Sequence, residues 1–83
     1  MDIVYQRDLE ELAEIAEIEL ELVFSDEEKH YELWCVVIKD GIQSKKYAIY
    51  SQRNLIKNYT DLNRAIAWGE GLGFSKVRMV KNY

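Results

Sequence analysis

The side chains of this chain that could act as nucleophiles are few: Ser25, Ser44, Ser51, Ser75 and Cys35, with His30 as the one imidazole. A hydroxyl or thiol needs a base held against it, and that base needs a third group to orient it. No serine here sits in a nucleophile-elbow context, and all share a single histidine. Cys35 lies in the run Leu33-Trp34-Cys35-Val36-Val37-Ile38, where a thiol behaves as a small buried apolar group. His30 has Glu27, Glu28 and Glu32 near it in sequence, but zinc wants several imidazole or thiolate ligands. The carboxylates also lack the spaced Asp/Asn/Gly pattern of a calcium loop. Acid–base work by paired carboxylates would need one of them in an apolar pocket. Gly69-Glu70-Gly71-Leu72-Gly73 follows a helical stretch, whereas a phosphate-cradling loop precedes one. The residues therefore predict no enzyme activity, no metal and no cofactor.

Binding is the chemistry that remains, and charge is its clearest signal. Residues 1–32 carry twelve acids against two bases, a net −10, and residues 33–83 carry nine bases against three acids, a net +6. Glu10, Glu14, Glu17, Glu19 and Glu21 form a candidate acidic face for a protein partner. Regularly spaced carboxylates on a rigid scaffold resemble the phosphate array that basic proteins read, and they steer such proteins into contact. The alternative is that these acids only keep one sheet face soluble. A second candidate is the basic set Lys45, Lys46, Arg53, Lys57 and Arg64, interleaved with Tyr47, Tyr50 and Tyr59. Cationic grooves with stackable rings hold single-stranded nucleic acid. Against this, the chain is acidic overall, with a net charge of −4.

These side chains must be positioned by short elements, because 83 residues without proline make one small domain with short loops. Residues 7–16 place Leu9, Leu12, Ala13 and Ala16 at helical spacing. From Glu17 to Phe24, Ile18, Leu20, Leu22 and Phe24 alternate with Glu17, Glu19 and Glu21, which predicts a half-buried strand with an acidic outer face. A continued helix to about residue 23 is the rival reading of that stretch. Tyr31 to Lys39 is apolar on both faces and predicts a central strand. Its Trp34, Val36 and Ile38 must be covered by a helix or by another copy, which makes them a candidate homodimer face. Asp40-Gly41 predicts a hairpin turn into a strand at Tyr47–Ser51. A second turn at Arg53-Asn54 leads to a short strand over residues 55–59. Thr60 or Asp61 caps a second helix carrying Leu62, Ala65, Ile66, Gly69 and Leu72, and Gly71 or Gly73 ends it. Residues 76–81 complete the pattern as a strand. The expected class is α+β, a mostly antiparallel sheet of four to five strands with two helices, in the order α-β-β-β-β-α-β. The N-terminus lacks a basic flank before an apolar run, and no apolar run approaches a membrane span. A cytoplasmic location with no membrane contact is expected.

The stretch Tyr50-Ser51-Gln52-Arg53, Leu55, Tyr59, then Asp61-Leu62, Ala65, Trp68 and Leu72-Gly73 resembles a pattern of short accessory proteins of bacterial plasmids and other mobile elements. In overall style, an acidic single domain of this size is similar to phage-borne anti-CRISPR inhibitors. That resemblance implies a non-enzymatic protein that blocks a nucleic-acid-binding surface, and it assigns no site residues. The expected function is a small acidic regulator or inhibitor with a protein partner. A nucleic-acid-binding module and a homodimeric assembly subunit are the alternatives.

Overall fold

The computed structural model describes residues 2–51, 55–74 and 76–80. In chain order the elements are β1 (Ile3–Tyr5), a 3-10 turn at Gln6–Asp8, α1 (Leu9–Ile15), β2 (Glu17–Ser25), β3 (His30–Lys39), β4 (Ile42–Tyr50), β5 (Asn58–Tyr59), α2 (Leu62–Glu70) and β6 (Lys76–Val80). The class is α+β, as expected. Two expectations need correction. A strand precedes the first helix, and the sheet is mixed rather than mostly antiparallel.

The sheet order is β1-β4-β3-β2-β6. β3 pairs antiparallel with β2, β4 and β5, while β1 lies parallel to β4 and β6 parallel to β2. β3 alone therefore runs against all the others. Both edge strands are parallel because each is joined to the meander through a helix, and such a crossover returns the chain in its original direction.

Local chemistry explains most boundaries. α1 stops at Ala16, whose backbone is extended at φ −149° and ψ 153°, so Glu17 enters β2 directly. The rival reading of 17–23 as helix is thereby excluded. Asp40 and Gly41 carry φ of 54° and 77°, and Lys39 faces Ile42 across them. A two-residue hairpin loop of this kind requires positive φ at both positions. Asp61 caps α2, its Oδ1 accepting from the Asn63 amide at 2.9 Å.

β4 starts at Ile42, five residues before the expected Tyr47. Its register slips between Val37 and Ile38, so Ser44 is the extra residue of a bulge. The expected strand over 55–59 shrinks to β5 and a single bridge between Ile56 and Tyr50. Lys57 closes this segment against the sheet, its amide donating to Ile49 and its carbonyl accepting from Leu33. The expected turn at Arg53-Asn54 lies outside the described residues.

Both helices pack on one side of the sheet. Leu9 of α1 and Ala65 of α2 join Ile18, Leu20, Leu22, Leu33, Cys35 and Ile49 in one buried cluster. Leu12, Ala13, Leu62, Ile66, Leu72 and Val77 pack against it. Gly69 lets α2 approach β2: a methyl group there would overlap the Leu20 side chain. Trp34, Val36 and Ile38 alternate with Leu33, Cys35 and Val37, so they lie on the opposite, helix-free face.

Candidate functional site

The helix-free face is built from rows of side chains that the register places side by side. One row is Ile3, Ala48, Trp34, Glu21 and Arg78, and the next contains Lys46, Val36, Glu19 and Lys76. Arg78 Nη2 donates to Glu19 Oε1. Lys46 Nζ sits 2.5 Å from Glu21 Oε2 and 5.1 Å from the centre of the Trp34 ring. The Lys46–Glu21 contact is a close ammonium–carboxylate ion pair, with the carboxylate nearly buried.

Of the two covers expected for Trp34, Val36 and Ile38, a helix or another copy, the described helices supply none, since both pack on the other side of the sheet. Val36 is fully buried nonetheless, and Trp34 and Ile38 are half-buried. The register places Glu19 and Lys46 on either side of Val36. Glu19 and Glu21 are each only 5% exposed, where the alternation predicted an outer face. A desolvated carboxylate is tolerated only when paired, and the bases on β4 and β6 supply the pairing. The acidic and basic halves of the chain meet here. Arg78 was not among the residues singled out from the sequence, and its alternation with Val77 and Met79 was the only hint that it faces β2.

The remaining candidate acids are elsewhere. Glu10 and Glu14 project from α1, Glu17 opens β2, and all three are exposed, as is Glu11. None of them has an ion-pair partner among the described residues. Ile15, between them in sequence, is 83% exposed. A shallow cleft of about 290 Å³, lined by Gln6, Arg7, Glu10 and Leu72, runs along the start of this segment.

Among the described candidate bases, Lys45 and Lys57 lie on the helix-bearing side and Lys46 on the opposite face. Lys46 is on the helix-free face, held by Glu21 and Trp34. Lys45 lies 5.6 Å from the Tyr47 ring, and Lys57 is caged between Tyr59 and Trp68 at 5.0 and 4.9 Å, on the helix-bearing side. Arg64 is exposed on α2. Arg53 lies outside the described residues.

Burial pushes the Cys35 thiol from its ordinary 9.0 up to about 12, which keeps it protonated and unreactive at neutral pH. His30 Nε2 lies 3.8 Å from Glu32 Oε2. No group of three or more metal-ligating side chains occurs among the described residues. No helix among them is long and apolar enough to cross a membrane. Among the described residues, the buried His30 Nε2 and Trp34 Nε1 make no hydrogen bond, and both belong to the helix-free face, since they share one parity of β3. No family model, curated protein or solved structure matches the chain.

Proposed function

We propose that this chain is a non-enzymatic interaction protein, a regulator or inhibitor that binds the basic surface of a protein partner through the outward side of α1 and the start of β2. The observation that carries this reading is the set of exposed carboxylates Glu10, Glu11 and Glu14 on α1, the helix that also carries the exposed Ile15, with the exposed Glu17 following at the start of β2; none of the four has an ion-pair partner among the described residues. An apolar centre inside a charged rim is the usual anatomy of a protein interface. Unpaired surface charge acts mainly on association rate and salt dependence. A partner that normally binds nucleic acid has the matching basic surface, which accords with the likeness in style to phage-borne inhibitors. Glu19 and Glu21, already paired inside the chain, are left out of this surface. The nucleic-acid alternative has less support, because Lys46 and Lys57 are engaged and face opposite sides of the sheet.

Affinity capture from the native cell tests the reading, with the unmutated chain and a Glu10→Lys/Glu14→Lys/Glu17→Lys variant compared by mass spectrometry. The variant should lose the partner while its melting temperature stays within roughly 5 °C, because exposed substitutions change stability little. Retention of the same partner by the folded variant would overturn the proposal.

A further inference from the structure

We infer that the cleft between the start of α1 and the end of α2 binds a free α-amino acid with an aliphatic side chain, its carboxylate on Arg7, its ammonium on Glu10 and its side chain on Leu72. This site goes beyond the acidic surface proposed above and shares only Glu10 with it.

The cleft holds two opposite charges that do not satisfy each other. Arg7 and Glu10 are three residues apart and line the same space, together with Gln6 and Leu72. Neither has an ion-pair partner among the described residues. The Arg7 guanidinium lies 5.0 Å from the centre of the Tyr5 ring, and Tyr5 is itself set edge-on against Tyr50 at 6.4 Å. The ring attracts the guanidinium without using its N–H donors, which remain for an oxyanion. Leu72 supplies an apolar wall. Its place is set by the turn that ends α2, where its amide donates to the Gly69 carbonyl at 3.1 Å.

Size, charge and polarity together select the ligand. The cleft measures about 290 Å³, at the lower limit of small-molecule pockets, which suits a molecule the size of one amino acid. Asp8, Glu10, Glu11 and Glu14 accompany Arg7 on the same turns, so a simple anion is repelled there. A simple cation meets the guanidinium instead. A zwitterion satisfies both charges at once, and its two groups bridge a gap that Arg7 and Glu10 do not close by themselves. A peptide bond removes one charge from a terminal residue and both from an internal one, so the free amino acid fits better than a peptide. Leu72 then favours an aliphatic side chain.

The test titrates the full chain with L-leucine and follows the backbone amide resonances of Gln6, Arg7, Glu10 and Leu72. Saturable shifts are expected, with a Kd of about 1 mM, since a shallow cleft leaves the ligand partly in water. Leucinamide, which lacks the carboxylate, and 4-methylpentanoate, which lacks the ammonium, should each bind about tenfold more weakly, the loss of one charge-assisted hydrogen bond. Arg7→Gln and Glu10→Gln, both at exposed positions, should weaken leucine binding by a similar factor. Absence of saturable shifts, or leucinamide binding as tightly as leucine, would overturn the inference. Arg7→Gln should still capture the protein partner, because Arg7 is not part of the acidic surface. Failure of the partner experiment with leucine binding intact would overturn the reading of α1 alone and support this site.

Discussion

Cys35 illustrates how one residue's chemistry follows from its neighbours. It is fully buried between Leu20 of β2 and Tyr47 of β4, and desolvation raises its pKa to about 12. The folded thiol holds its proton more tightly than the unfolded one, so the contribution of Cys35 is fully present below pH 9.0. Stability then falls as pH rises from 9.0 towards 12, because only the unfolded chain releases that proton. The expected result is a steeper alkaline loss of stability in the unmutated chain than in Cys35→Ala, measured by urea unfolding between pH 8 and 10. The native thiol should also resist alkylation at pH 8 until denaturant is added. Rapid alkylation without denaturant would show that the thiol is not buried as described.

Paired elements set the energetics of the helix-free face. β6 reaches β2 through a register that brings Arg78 to Glu19, 59 residues earlier in the chain. Arg78→Ala should destabilise the fold by about 1–3 kcal/mol, because it strands a carboxylate that is 5% exposed. The full cost of a buried pair does not apply, since Arg78 is 40% exposed and water reaches it. Glu19→Leu/Arg78→Leu should recover most of that loss, because no stranded charge remains. Chemical denaturation of the single and double variants separates the two effects. A double variant as unstable as the single would mean that the lost packing, and not the stranded carboxylate, dominates. The same comparison reports on β6, an edge strand whose Lys76 and Arg78 also discourage pairing with another sheet.

At the scale of the molecule, the charge split has a structural outcome. Glu19–Arg78 and Glu21–Lys46 tie the acidic N-terminal part to the basic remainder. A homodimer through Trp34, Val36 and Ile38 would have to bury these four charged groups as well, at a desolvation cost that an apolar face would not carry. The expected mass by light scattering is accordingly 9.8 kDa across the micromolar range. Twice that value, abolished by Trp34→Glu, would instead support assembly through this face.

The sequence by itself determined the local features. The alternation at 17–24, the doubly apolar run at 31–39, the Asp40-Gly41 turn and the Asp61 cap are all recorded in neighbouring residues, because a strand face, a positive-φ loop and a helix end each depend on a few positions. The tertiary structure decided what depends on distant residues. Ile3–Tyr5 is too short to declare itself and becomes a strand only because Ala48–Tyr50 offers a parallel edge. Ile42–Lys46 lacks alternation, being exposed throughout and bulged at Ser44, and its pairing comes from β3. Placement of both helices on one face followed from Leu9 and Ala65 meeting in one cluster. Glu19 and Glu21 differ from Glu17 in no local respect. They are buried and it is exposed because Arg78 and Lys46 lie beside two of the three, and a carboxylate leaves water only where a distant chain segment brings it a cation.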